Sequence, residues 1–289
     1  MKKLISLALA FMMCILSVSL FACSNKPEPN PVTDFEYEYG EEYGGIAIIK
    51  YIGTSKSIVF PEEIDGQPVK VIGRYLLDDE DNDKMRPLIE SVVIPDTVEV
   101  IVDMTFYGCT SLVSVDFGNG VREIGDEAFH RCEALERIIL PPKLETIGAS
   151  AFYGCTSAEE LFIPKTVTTW GKSFNRGAFG ECTSLKKITI EEGLETLGFW
   201  CEFALSSSLE EIEIPASVKK IGSQLFVGCT SLTKVVFKGN APIVESGTAL
   251  TNVFGYEDFK EDLVIYYDSA TEGWDTVEWR GRYRMEPLS

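Results

Sequence analysis

Carboxylates, one histidine and a set of cysteines are the residues here that could do chemistry. Asp79, Asp81, Asp83 and Glu90 stand at places 1, 3, 5 and 12 of a calcium loop, where their oxygens would surround a hard cation. Place 6 of such a loop bends sharply on glycine and here holds Lys84, while residues 89–94 carry a strand pattern. A solvated acidic insertion over residues 78–83 is therefore the better reading, with weak calcium binding as the alternative. His130 is the only histidine. It follows Ala128-Phe129 at a place held by Tyr153 and Gly180 in neighbouring repeats, which predicts a variable solvent position rather than a general base. With 45 acidic residues, carboxylate pairs say almost nothing about glycan hydrolysis. The chain contains no G-x-S-x-G, no phosphate-cradling glycine loop and no H-E-x-x-H.

The cysteines are informative through their spacing. Cys109, Cys132 and Cys155 are 23 positions apart, and Cys182 follows after 27. The spelling around them recurs, as in CTSLVSVDFGNGVREIGDEAFHR from Cys109 and CEALERIILPPKLETIGASAFYG from Cys132. A fixed period in this range means stacked supersecondary units, in which one residue type at one phase forms an interior column. Beyond Cys14 and Cys23, six cysteines remain: Cys109, Cys132, Cys155, Cys182, Cys201 and Cys229. An even count in an exported chain invites disulfides. The column has gaps at Arg86 and Ser206, however, so buried free thiols are expected instead. No cysteine–histidine spacing supports a metal site.

The elements that position these residues are short. Apolar pairs at i, i+2 recur as Val92 with Ile94, Ile138 with Leu140, Leu161 with Ile163 and Ile212 with Ile214, and proline follows each. That places both side chains on one inward sheet face and stops the strand. A second apolar pair follows at three-residue spacing, as in Val121 with Ile124 and Leu144 with Ile147. Gly125, Gly148, Gly171, Gly198 and Gly222 come next and are expected to permit a tight corner. The phenylalanine of each Ala-Phe pair should then stack from coil to coil within about one helical turn. No coil can bury its own face alone, so the array is stable only as a stack.

These residues resemble the BspA-like leucine-rich-repeat proteins of bacterial surfaces over roughly residues 35–237. The opening stretch YGGIAIIKYIG, with Val59-Phe60-Pro61 and the short turn to Val69, is similar to that family's first repeat. The resemblance implies an α/β, mainly β, leucine-rich-repeat solenoid of about eight stacked coils of roughly 23 residues. It also implies a parallel strand sheet on one face, short helical turns at the corners and capped ends. Family members are described as adhesins, so the implied role is non-enzymatic capture of a protein or glycan, on host matrix or another bacterium. A scaffold organising other envelope proteins is the alternative, and a carboxylate-based glycan hydrolase the remote one.

The N-terminus reads as a targeting segment. Lys2 and Lys3 precede an apolar run over residues 4–20, which ends in Leu20-Phe21-Ala22-Cys23. This resembles a bacterial lipobox, with Phe21 a departure where a small residue is usual. Residues 1–22 are then a lipoprotein signal peptide, and Cys23 is lipidated. Residues 23–34 form a proline-rich flexible tether, and Ser24 in place of aspartate implies outer-membrane, surface residence. Residues 35–85 make an N-terminal capping repeat with the acidic insertion, 86–238 the repeats and 239–289 a C-terminal cap. Leu263 to Tyr267 is expected as a closing strand, with Trp274 and Trp279 over the last apolar face or, alternatively, as a carbohydrate platform. Net charge is −19, from 26 basic and 45 acidic residues. Such a field repels nucleic acid and anionic headgroups, and no cofactor is implied.

Two candidate surfaces follow. The central outward column of the strands reads Val93, Asp116, Ile139, Phe162, Thr189, Glu213, Val236. Within it Val93, Ile139 and Phe162, with Arg137 alongside, form an apolar centre in a charged rim. A second patch comes from two irregular corners at one phase: Phe174, Arg176, Phe199 and Trp200 either present an aromatic bulge or pack on one another to fill it.

Overall fold

The computed structural model describes residues 26–73, 76–77, 85–171, 176–245, 253–254, 262–275 and 283–288. The chain winds as a mainly β, parallel solenoid of about nine turns, each of about 23 residues. Each winding carries two short strands on two sides and a hydrogen-bonded corner on the third. The expected inward residues are buried: Ile138 with Leu140, Leu161 with Ile163 and Ile212 with Ile214 all lie in one continuous core. Val115, at the place in its strand that Ile138 holds in the next coil, is only partly covered.

The first side is the strand face. Its strands pair in parallel and in register, so that Arg137, Glu160 and Lys187 lie abreast, and Ile139, Phe162 and Thr189 likewise. The ladder is divided into runs. Ser57–Val59, Ser91–Val93 and Ser114–Asp116 form one; Arg137–Ile139, Glu160–Ile163 and Lys187–Ile190 a second. Glu211–Ile214, Lys234–Phe237, Val264–Tyr267 and Arg284–Pro287 form the third. Val264–Tyr267 is thus not the closing strand, because Arg284–Pro287 adds beyond it.

A second parallel sheet runs along the neighbouring side, and the sequence had shown only its apolar pairs. Each coil contributes the end of such a pair, as in Glu123–Ile124, Thr146–Ile147 and Thr169–Trp170. At its start an antiparallel hairpin, Phe35–Gly40 with Gly45–Tyr51, covers the first coil. Residues 26–34 lie along that coil: Asn30 bonds both backbone groups of Val59 at 2.8 and 2.9 Å, and Lys26 reaches Glu62 and Asp96.

The corners are turns, not helices. Among the described residues the only helical pieces are the 3-10 segments Val32–Asp34 and Arg86–Leu88. The reason lies in how each corner spends its amides. Ala128, His130 and Cys132 donate within the turn to Gly125, Glu127 and Phe129, whereas Glu127, Phe129 and Arg131 donate to Ala149, Ala151 and Tyr153 of the next coil. A helix would use every amide internally; here alternate ones join coils. The alternation needs left-handed backbone at two places per corner. One is held by Met104, Glu127, Ser150, Cys201 and Gln224, the other by Gly108, Arg131, Gly154, Glu181, Leu205 and Gly228, all with φ between 53° and 75°.

The phenylalanine column forms as expected. Phe106, Phe129, Phe152, Phe179, Phe203, Phe226 and Phe254 stack in sequence at 5.1 to 6.0 Å between ring centres. Beside it runs the thiol column, with Cys132, Cys155, Cys182 and Cys229 each donating to the phenylalanine carbonyl one coil back. All six cysteines among the described residues are buried thiols outside any disulfide. Cys201 stands off the column in a small side core with Trp200 and Ala204, and Ser206 takes its place there.

The corner glycines differ from expectation. Gly125, Gly148 and Gly171 keep ordinary negative φ; of the five glycines named above only Gly198, at 72°, is left-handed. A Cβ on Gly148 would overlap the backbone of Gly125, and one on Gly171 the backbone of Ala149. Glycine is there so that adjacent coils can touch main chain to main chain.

At the C-terminal end Trp274 is buried against Phe237 and Tyr267, each 5.2 Å away between ring centres. It serves as a cap. Trp279 lies outside the described residues, as do residues 1–25, with Cys23 among them, and the acidic run 78–84.

Candidate binding face

The pleat turns alternate strand residues outward, and neighbouring strands bring those residues abreast about 4.8 Å apart. Of the outward column, Ile139 is 52% exposed, Asp116 and Glu213 are exposed, and Val93, Phe162 and Thr189 are partly covered. Val236 departs from expectation, being buried at the C-terminal end of the face. The structure brings Ile139 and Phe162 together as register partners and sets Arg137 beside Glu160. Val93 lies in the preceding run of strands, with Asp116 between it and Ile139 in coil order.

The flanking columns form an ion-pair lattice between coils. Glu160 lies 3.9 Å from both Arg137 and Lys187, Lys186 meets Glu159 at 2.8 Å, and Lys234 meets Glu211 at 2.9 Å. Exposed pairs of this kind contribute little stability each, on the order of 0 to 1 kcal/mol. The Glu160 pairs set charge beside Ile139 and Phe162 in the same strands. The Lys186 ammonium, hydrogen-bonded to Glu159, holds that carboxyl below its ordinary pKa.

The second patch is mostly interior. Trp200 is buried, Phe199 packs partly covered against it, and Arg176 is exposed with its guanidinium 5.5 Å above the Tyr153 ring. Phe199 and Trp200 thus pack on one another, with Phe199 keeping part of its ring outward. Phe174 lies outside the described residues.

Two buried polar residues need separate account. His130 is 2% exposed, which corrects the expected solvent position. Its ring is sandwiched between Tyr107 at 4.9 Å and Tyr153 at 5.3 Å. Burial first, then the charges of Arg176 and Arg131, lowers its pKa to about 4. Glu202 was not singled out in the sequence. It is a fully buried carboxylate that accepts the amides of Ala178 at 2.7 Å, Phe199 at 3.0 Å and Trp200 at 3.3 Å. It pins the irregular corner to the coil before it. Burial raises its pKa, against the opposing effect of those amides. One signal existed: Glu202 stands at the phase of Ala128, Ala151, Ala178 and Leu225, a carboxylate where its counterparts are apolar or, at Thr105, uncharged.

Among the described residues no group of histidine, cysteine or carboxylate side chains is placed to hold a metal ion, and no helix is long and apolar enough to cross a membrane.

Compared with known proteins, the family described as the BspA type leucine rich repeat region matches residues 85–177 and 171–251, in six copies, over more than half of the chain. No curated protein matches it. A leucine-rich-repeat protein of T. pallidum is similar at 29% identity, with a TM-score of 0.62, over 71% of this chain and 91% of that one. A leucine-rich-repeat protein of Bacteroides ovatus ATCC 8483 is similar at 21% identity, with a TM-score of 0.52, over 90% of this chain and 77% of that one. At that lower identity the likeness concerns the fold alone.

Proposed function

Because the chain belongs to the BspA-type leucine-rich-repeat family, we infer that it is a non-enzymatic recognition protein whose outward strand face captures a protein or glycan ligand. A lipid on Cys23 holds it at the outer membrane, facing out of the cell. Ser24 and the apolar segment before Cys23 support that placement. Repeat proteins of this kind vary their outward residues while the interior files stay constant, so ligand choice resides on the face.

The observation that carries the reading is Ile139. It is 52% exposed at the middle of a face otherwise set with ion pairs, and its register partner is the aromatic Phe162. An apolar anchor ringed by charged groups is how the energetic centre of a protein interface is built. Arg137, 70% exposed at its side chain and loosely held to Glu160, can reach a ligand carboxylate at the rim. Phe199 and Arg176 make a smaller, secondary surface at the corner.

The test is a double substitution, Ile139→Glu with Phe162→Glu, in the soluble chain from residue 24. Capture of ligand from host extracellular matrix or co-resident bacteria should fall at least 100-fold, with the thermal midpoint nearly unchanged. Undiminished capture removes this patch from the function.

A further inference from the structure

The strand face is unzipped at two places, between Ser114–Asp116 and Arg137–Ile139 and between Lys187–Ile190 and Glu211–Ile214, and a groove lies along the second. At five strands the preceding residue sends its amide back one coil: Val113 to Glu90, Glu136 to Val113, Glu159 to Glu136, Lys186 to Glu159 and Thr233 to Glu210. Among the described residues Glu210 sends none to Lys186. At the far end of the same strands Glu191 donates to Ile163 and Lys238 to Ile214, but the residue facing the Ile190 carbonyl is Pro215, which has no N–H. Between these two missing ends, Lys187–Ile190 and Glu211–Ile214 form no ladder.

A groove of about 540 Å³ lies along the split, within the size range of ligand sites. Its floor is Ile188 and Ile190, each 8% exposed, where the equivalent Leu161 and Ile163 of the preceding coil are 1% and 0%. One lip carries Lys186 and Lys187, the other Glu211 and Glu213. Lys187 and Glu191 point their amides to the preceding strand. By the alternation of a parallel ladder, Ile188 and Ile190 therefore aim their backbone groups into the split.

We propose that this groove takes an extended segment of a partner polypeptide as an added strand. A row of main-chain donors and acceptors repeating every second residue is matched by another backbone and not by a sugar chain. The isoleucine floor accepts apolar side chains at alternate positions of that segment. The basic and acidic lips select charged residues at the positions between, in both signs. A strand set between two neighbours needs about 9.6 Å from lip to lip. Cα atoms across the split come within 8 Å, so the lips part on binding. The proposal rests on the reading of the strand face as a recognition surface, but not on the patch at Ile139 and Phe162.

The probe is a fluorescein-labelled nonapeptide in which valine alternates with glutamate and lysine, followed by fluorescence anisotropy with the full chain. A control peptide is N-methylated at alternate residues, which removes the pairing amides. Two cysteines, Thr189→Cys and Glu213→Cys, lie opposite each other across the lips, and their disulfide holds the Cα atoms within about 7 Å. The expected result is saturable binding of the plain peptide, at least tenfold weaker binding of the methylated one, and at least a tenfold loss on oxidation that reduction restores. Equal binding of both peptides, indifference to the disulfide, or no binding at millimolar peptide overturns the proposal. The Ile139→Glu, Phe162→Glu variant should bind the peptide normally. If it does so after failing to capture its ligand, the groove and the patch are separate sites; if the peptide fails while the patch test succeeds, only the groove is lost.

Discussion

The imidazole of His130 shows how a single residue can be stored neutral inside a repeat. It lies nearly parallel to Tyr107 and Tyr153, at interplanar angles of 9° and 12°, and its Nδ1 is buried without a hydrogen-bond partner. Burial penalises the protonated ring, and the charges of Arg176 and Arg131 add to that, which is why the pKa falls to about 4 from 6.5. A depressed folded pKa means that the unfolded chain takes up the proton first. Stability is therefore full above pH 6.5 and is lost as pH falls toward 4, by up to about 3 kcal/mol. His130→Phe keeps the stack and removes that loss; denaturant midpoints at pH 7 and pH 4.5 for both proteins check it. Glu202 acts with the opposite sign. Its raised pKa makes the folded state hold its proton more tightly, so its contribution improves as pH falls through that raised value toward 4.5. Comparing His130→Phe with the parent cancels this term. The buried thiols and stacked phenylalanines were legible because their types recur at one phase. His130 was not, because tyrosine and glycine at the same phase suggested an exposed place, whereas the stack encloses whatever ring stands between two others.

At the scale of elements, the corners carry the lesson. The stretch around each Ala-Phe pair was expected to make about one helical turn, yet alternate amides serve the next coil instead. Spacing along a chain cannot show which acceptor an amide will choose. The glycines were misread for a related reason: a corner and a close approach both call for glycine, and only the φ angles separate them. Gly148 makes the sharper test. Gly148→Ala must force two backbones apart in the middle of the stack, at a cost of about 3 kcal/mol or more. Guanidinium unfolding of the variant measures it. An unchanged midpoint would mean that the coils have slack the structure does not show. The strand pattern itself was read correctly, since period 2 with terminal proline fixes which side chains face inward. The outward column was read correctly up to Glu213 and failed at Val236, where the C-terminal end of the face encloses a position that alternation had turned outward.

For the whole molecule, stability is a sum of neighbour contacts, so the ends matter more than in a compact domain. Trp274 closes one end over Phe237 and Tyr267. Trp274→Ala should cost about 3–5 kcal/mol locally. Hydrogen exchange should then rise first in the coils around Lys234–Phe237 and Val264–Tyr267 and leave the coils around Arg137–Ile139 protected; uniform loosening would contradict stacked, nearest-neighbour behaviour. The stack was legible from the 23-residue register, and the unzipped step at Lys187–Ile190 was not, because Pro215 follows its strand just as Pro164 follows one that is paired to the coil before it. The two extremities also have a consequence for solubility. Layers that all offer the same unidirectional ladder could in principle go on adding molecules lengthwise into a fibre. The second sheet is covered at its first coil by a strand running the other way, Phe35–Gly40, and the last described strand of the strand face, Arg284–Pro287, carries a proline that offers no donor at the rim. Lengthwise addition is hindered at these two edges.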